Sequence, residues 1–522
     1  MPIRMSGLAS GMDTESIVKE LMTAQRTRAT KIENNITKLE WKQEKWKSLN
    51  SKIYSFYTGS LSKVRMQGSF MTKKASSSNE SKVEVSANSS VPEGSHSIKV
   101  KAVASAQFVT GVKPPELTGN ANNDTKLSAL NLKPLAGASI TIDGGKQTKV
   151  LEITADTTIG DVVNAMQEAG LNASYDTAQQ RFFISSKSSG IDNAFSIKST
   201  DSAKPVDLTR LGLSDITFTK DTVNGTADVT VTNGVSVIEP KDAIVIYNGA
   251  EIKSASNSIT ANGLNITVKN ITTGLDNSDP NDDETINISI TRDTQAVYDM
   301  IKDFVKSYNE VLKELNTAYN AGTAKGYDPL TEDQKKAMSE DDIEKWESKI
   351  KDSLLRRDGM AASVINSMRA ITATKINHGG KNYSLASFGI RSVDYTEKGI
   401  LHIDGDKDDS LVNSEKDELM KALSENPEAV MKVFNEFSSK LYSTMTDQMK
   451  STPISSALTF YNDKEIKDTV EDYQASLKYQ EERLTKLENR YYKQFTAMEK
   501  MMSQLNSQSS YLSSLLGTNT GS

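Results

Sequence analysis

Apolar residues recur at alternating steps of four and three at both ends of the chain, and the middle follows a different rule. Near the start, Val18, Met22, Gln25, Ala29, Ile32, Ile36 and Leu39 keep heptad spacing within a proline-free stretch, residues 13–66, rich in Lys, Glu, Gln and Leu. Trp46, Leu49, Ile53 and Phe56 continue the stripe after a small phase shift. Gly7 and Gly11 precede it, and the first dozen residues are expected to be mobile. The C-terminal pattern is longer. From Ile466 the same steps give Val470, Tyr473, Leu477, Gln480, Leu484, Leu487, Tyr491, Gln494, Met498, Met501, Leu505, Gln508, Leu512 and Leu515. All are apolar except the three glutamines, and Glu482 and Lys486 sit at i, i+4 on the outer surface. A helix over 466–515 would run about 75 Å.

Such a helix cannot bury its stripe alone. It requires the N-terminal helix in a hairpin, further copies of the chain, or a foreign helix. The glutamines in the seam favour assembly slightly, because polar seam residues set register at a cost in stability. The candidate packing positions are Val470, Tyr473, Leu477, Leu484, Leu487, Tyr491, Met498, Leu505 and Leu512, with Ile32, Ile36 and Leu39 opposite them.

Between about residues 76 and 290 the texture changes to Ser, Thr, Asn, Gly and Val with period two. Ile98, Val100 and Ala102 alternate with polar neighbours, and Ile140-Thr-Ile142, Val229-Thr-Val231, Ile266-Thr-Val268 and Ile286-Asn-Ile288-Ser-Ile290 repeat the pattern between turn residues. One helix interrupts these strands. Thr158 and Asp161 form a capping-box variant, Ile159, Val162, Val163 and Met166 its inner face, and Gly170 its exit. Lys113-Pro-Pro and Asn120-Ala-Asn-Asn-Asp read as surface linkers. Helical spacing returns at Val297, Ile301, Phe304, Tyr308, Val311, Leu315 and Tyr319. A second helical stretch is expected over residues 341–372, then a strand-and-turn stretch through Phe388-Gly-Ile390 and residues 399–404, and a helix near Leu419. The order implies nesting: the chain leaves a helical base, builds β modules and returns, so the class is α+β and multidomain.

The 522 residues suffice for three or four domains, and a mean hydropathy of −0.49 still allows several small cores. With 62 basic and 68 acidic side chains the net charge is −6, which argues against general nucleic-acid binding. No apolar run approaches a membrane span, and the N-terminus lacks the apolar region of a secretory signal. There is no cysteine, which excludes thiol catalysis, thiolate metal sites and disulfides, and the three histidines (His96, His378, His402) are far apart. Gly144-Gly145-Lys146 lacks the upstream glycine of a phosphate-binding loop, and no Gly-x-Ser-x-Gly elbow occurs. No catalytic, cofactor-binding or metal residue is therefore assigned. The best metal candidate has Asp404, Asp406, Asp408 and Glu415 at positions 1, 3, 5 and 12 of a calcium-like loop, but Asp409 replaces the glycine at position 6, so a solvated acidic turn is the main reading. The acidic run at 276–284 reads as a solvated loop.

Several segments are more specific. Ser6-Gly-Leu-Ala-Ser-Gly-Met-Asp-Thr14, with Ile17-Val18 and Leu21-Met22, resembles the start of the flagellar filament-cap family, also called hook-associated protein 2. Tyr491-Tyr-Lys-Gln-Phe-Thr-Ala-Met-Glu499 and Met502-Ser-Gln-Leu-Asn-Ser-Gln508 resemble its C-terminal signature. Between them fall Ala104-Ser-Ala-Gln107, the insertion helix from Thr158, Tyr247-Asn-Gly249, Gly263-Leu-Asn-Ile-Thr267, Tyr308-Asn309 and Asn426-Pro427, in family order. Ala165 departs from the usual insertion-helix residue, and residues 321–340 have no clear counterpart.

The resemblance implies a coiled-coil leg over 1–45 and 465–522, a helical bundle with small strands over 46–75 and 291–464, a β-rich head over 76–130 and 236–290, and an outer head inserted over 131–235. It implies a secreted, non-enzymatic cap without cofactor: a ring of subunits at the distal filament tip, acting on flagellin. Its export would use the flagellar apparatus and a cytoplasmic chaperone, with no nucleic-acid or membrane partner. Two alternatives remain open from the residues: another axial or junction protein, and a surface adhesin whose heads bind host glycans or mucin.

Overall fold

The computed structural model describes residues 12–115, 119–132, 136–232, 234–274 and 283–517, with side chains as far as residue 514. Ser6 to Gly11 of the opening motif, the first part of the acidic run and the Leu515 side chain lie outside them. The chain forms two compact units, Met1–Phe70 with Thr294–Ser522, and Met71–Asp293.

The first unit is helical. The Asp13 carboxylate accepts the Ser16 backbone N–H at 3.0 Å and starts α1, Thr14–Phe56. A π-helical turn, Tyr57–Leu61, passes the chain into α2, Ser62–Arg65. After the second unit come α4 (Thr294–Tyr319), α5 (Glu332–Lys336), α6 (Glu340–Ser353), α7 (Gly359–Thr372), α8 (Glu418–Glu425), α9 (Pro427–Gln448) and α10 (Asp463–Gly517); α3, Ile159–Glu168, belongs to the second unit.

The bundle core is aromatic at its centre. Phe304 is fully buried, and its ring lies 5.7 Å from Phe56, 6.4 Å from Phe434 and 5.8 Å from Phe437 between centroids. Trp46, Leu49, Ile53 and Phe56 all point into this core, so the phase shift after Leu39 marks where α1 changes partners.

The helical unit adds one break and one helix to the sequence reading. The helical stretch expected over 341–372 consists of two helices, because Arg357 turns into the left-handed region (φ 54°) and the Asp358 carboxylate caps a new helix by accepting the Met360 and Ala361 N–H groups. Helix α9 was not anticipated, although Asn426 caps it, Pro427 occupies its first turn, and Val430, Val433, Phe434, Phe437, Leu441 and Met445 line its buried face.

The second unit holds two β cores. The inner one lies between a five-stranded sheet, in the order Lys73–Ser77, Ile286–Arg292, Gly94–Ala102, Ala243–Tyr247, Ala250–Ser254, and a three-stranded sheet, Ser258–Ala261, Leu264–Val268, Val83–Ala87. Ile98, Val100, Ile286, Ile288 and Ile290 alternate into it. Gly94–Ala102 and Ala243–Tyr247 are hydrogen-bonded neighbours, so everything between them in sequence is an insertion into that sheet.

The insertion has its own core around α3. The Thr158–Asp161 capping box forms in both directions, and Ile159, Val162, Val163 and Met166 are buried as their spacing predicts. Val109, Ala121, Leu127 and Leu130 also pack in this outer core, upstream of the boundary at 131 expected for the outer head. Leu127 and Leu130 share one short 3-10 turn and Val109 sits in a three-residue strand, elements too short to build up a periodic signal.

Candidate assembly surface: the paired terminal helices

Helices α1 and α10 pack side by side in opposite directions. At the bundle end the rings of Trp46 and Tyr461 stack with centroids 5.6 Å apart, and Asn50 clamps the approach to α10 by donating to the Leu458 carbonyl and accepting from the Phe460 N–H. Further out, Val18, Met22, Ala29 and Leu484 are buried together, with Leu477, Leu487, Tyr491, Tyr492 and Phe495 packed around them. The hairpin solution is therefore realised within one chain.

The candidate seam positions divide into two groups. Ile36 and Leu484 are buried, and Ile32, Leu39, Val470, Tyr473, Leu477, Leu487 and Tyr491 are half-buried. Met498, Leu505 and Leu512 are exposed, at 37%, 54% and 56%. The reason is length: the described part of α1 begins at Thr14, whereas α10 continues to Gly517, so its last turns run past that partner. Met501 and Tyr511 are exposed there as well. Tyr492 and Phe495 were missed by the strict 4-3 count. The signal was the broader stripe formed by Tyr491-Tyr492 with Phe495, which flanks the seam.

The other candidate site is resolved by its neighbours. Lys302 of α4 reaches Asp406 and Asp408, each at 2.6 Å, and these bonds push the Lys302 pKa well above the ordinary lysine value. Arg391 pairs with Asp404 at 3.0 Å. His402 contacts Asp409 through Nδ1 at 2.5 Å and Glu397 through Nε2 at 2.9 Å. Three of the four carboxylates of the calcium-like loop, Asp404, Asp406 and Asp408, are thus held by the protein's own cations, and among the described residues no group of three or more Asp, Glu, His or Cys side chains is placed to hold a metal ion. A calorimetric titration with calcium should give no saturable heat, and a stoichiometric isotherm would contradict this pairing. At the end of the acidic run, Asp283 pairs with Lys99 at 2.9 Å and Glu284 with Lys82.

His402 makes this loop pH-dependent. Burial disfavours its charge, but hydrogen bonds to Asp409 and Glu397 outweigh that and raise its pKa above 6.5. A raised folded-state pKa contributes stability that is fully present below the unfolded value of about 6.5 and lost as pH rises through the folded value. The His402 ring should titrate by NMR above the ordinary histidine range, and His402→Gln should flatten the alkaline side of the stability curve. A ring that titrates below the ordinary range would refute the pairing.

A family model described as flagellar hook-associated protein 2 C-terminus matches residues 240–507, and the N-terminus model of the same family matches 10–107. The chain belongs to the flagellar hook-associated protein 2 family. The hook-associated protein 2 of Halalkalibacterium halodurans is 26% identical over 97% of this chain and 98% of its own. That of Escherichia coli K12 is 24% identical over 99% and 98%. Among solved structures, the D1-D2-D3 domains of the flagellar cap protein FliD from Escherichia coli align over 82% of this chain and 99% of theirs, with a TM-score of 0.50 and 18% identity, which supports the shared α+β multidomain fold. Both family models include parts of the paired helices, α1 in one and most of α10 in the other.

Proposed function

We propose that this chain is the structural cap at the distal tip of a bacterial flagellar filament, retaining exported flagellin and promoting its insertion so that the filament elongates. The observation that carries the reading is the family match across both termini, supported by a fold in which those termini form one paired-helix leg below a bundle. We read the chain as leg, bundle, inner head and inserted outer head, each with its own hydrophobic core. The leg seam, including its exposed end at Met498, Leu505 and Leu512, is assigned to packing during assembly. The role is structural rather than enzymatic. Subunits form a ring that works on flagellin, and delivery by the flagellar export apparatus with a cytoplasmic chaperone belongs to the same reading. No helix among the described residues is long and apolar enough to cross a membrane. The family match gives no weight to a junction protein or an adhesin.

The test is complementation of a strain lacking this chain. Full-length protein should restore filaments, whereas a chain ending before Ile466 should be exported, fail to support growth and leave flagellin in the medium. Filaments of normal length from the truncated chain would refute the proposal.

A further inference from the structure

One flank of the leg carries charge that the chain itself does not balance. A hollow of about 470 Å³ there is lined by Leu484 and Leu487 and by four cations, Arg28 of α1 and Arg483, Lys486 and Arg490 of α10, with no acidic side chain among its described lining residues. All four cations are exposed. Among the described residues none of them is paired with a carboxylate, and Arg490 instead leans over the Tyr491 ring, 6.0 Å from its centroid. The seam accounts for the leucines but not for the cations. Positions beside a coiled-coil seam usually pair opposite charges across it. Here Arg28 on the facing helix has the same sign as Arg483, Lys486 and Arg490, so the helix pair gathers like charges that repel, and an anionic cover would relieve that repulsion.

A complement of matching spacing lies elsewhere on the same chain. Helix α6 begins with Glu340, Asp341, Asp342 and Glu344, all exposed, and among the described residues none of the four is in an ion pair. The helix dipole accounts for the acids of the first turn, 340–342, but Glu344 lies beyond it. Glu347, one turn further on, is by contrast held by Lys335 at 3.1 Å and Lys351 at 3.3 Å. Asp341 and Glu344 are three residues apart and share a helix face, as do Arg483 and Lys486. Both surfaces belong to the helical unit, yet no ion pair joins them within one chain. A surface whose complement sits at a different place on an identical copy makes heterologous contacts, which close into a ring where the rotation allows.

We propose that the basic flank of the leg, Arg28, Arg483, Lys486 and Arg490, docks the acidic start of α6 from a second copy of this chain. Each copy then offers a basic groove to one neighbour and an acidic helix to the other. The contact rests on the ring reading above for its place at the filament tip, but its chemistry is a property of the purified chain. Failure of the docking therefore leaves the complementation test of the cap role untouched.

The chain has no cysteine, so single thiols can be introduced into the full-length protein without removing native ones. Asn489 and Ser348 are exposed positions beside the groove and on α6. Asn489→Cys, isotope-labelled for mass, is mixed with unlabelled Ser348→Cys at low ionic strength and treated with a bis-maleimide. The mixed dimer should be the main crosslinked product, and added salt should weaken it. Arg483→Glu with Lys486→Glu in the first chain should lower its yield at least about tenfold, and Asp341→Lys with Glu344→Lys in the second should do the same. With both reversals present the opposite charges face each other again and the yield should recover, which simple misfolding of either variant could not produce. Absence of the mixed dimer at low salt, a yield that ignores either reversal, or a double reversal that fails to restore it would overturn the docking. A groove reversal that leaves the mixed dimer intact yet stops filament growth would assign the groove to flagellin, and would overturn it too.

Discussion

Replacing Leu484 and Leu487 together by aspartate should open the paired terminal helices while leaving the bundle and the β modules folded. Leu484 is 9% exposed and belongs to a cluster of buried apolar side chains in the leg with Val18, Met22 and Ala29, and Leu487 packs beside it. Burying a leucine stabilises by about 1.5–3 kcal/mol, so the two changes together remove several kcal/mol from a small interface and add carboxylates that resist burial. Among the described residues, no other hydrophobic cluster includes this part of the leg. The expected result is loss of hydrogen-exchange protection for residues 14–30 and 477–495, an unchanged main thermal transition, and loss of filament growth in cells. Leu505→Asp with Leu512→Asp is the informative partner experiment. Both leucines are exposed in the single chain, so stability should change by less than about 0.5 kcal/mol. If the distal stripe packs only on assembly, filament growth should nevertheless fail. Normal growth would show that this stripe has no packing partner at the filament tip.

The leg was legible in the sequence because a heptad repeat is local: each step of three or four reports the same face, and a long run accumulates the signal. The same holds for α3, where Thr158, Asp161 and Gly170 punctuate an apolar face at both ends. Helix α9 was equally readable in principle, since Asn426-Pro427 followed by Val430, Val433 and Phe437 has both a start signal and a stripe; it was overlooked rather than hidden. The break at Arg357 is different in kind. Asp358-Gly359 just after it is a local turn-and-cap signal, but the left-handed turn itself is held by the Arg357 N–H donating to the Tyr319 carbonyl, a contact across the fold. The acidic loop shows the same limit. Spacing alone could not reveal that Lys302, a hundred residues upstream, neutralises Asp406 and Asp408. What periodicity encodes is which face is buried; which partner covers it is encoded only where the fold is closed.

Phe304→Ala should be the most damaging single change in the helical unit. Its ring touches Phe56, Tyr308, Phe434 and Phe437, which come from α1, α4 and α9, so one side chain joins three helices that are far apart in sequence. Truncating a fully buried phenylalanine typically costs about 3–5 kcal/mol, and the loss is greatest where the surroundings cannot collapse into the cavity. Collapse is restricted here because Phe56 packs edge-on against Tyr308 and Phe434 lies tilted against Phe70, so these rings cannot rotate into the space without losing those contacts. Denaturant unfolding followed by tryptophan fluorescence reports on this unit alone, since Trp41, Trp46 and Trp346 all lie in it. Its midpoint should fall sharply, while the far-ultraviolet β signal from Met71–Asp293 should persist to higher denaturant, because the inner and outer β cores contain none of these rings. The consequence for assembly follows from the same geometry. The bundle core holds the root of α1 at Trp46 and the root of α10 at Tyr461, so loosening it should release both leg helices from their common base even though their own seam is intact. Unfolding of fluorescence and β signal at one shared, lowered midpoint would instead mean that the two units stabilise each other.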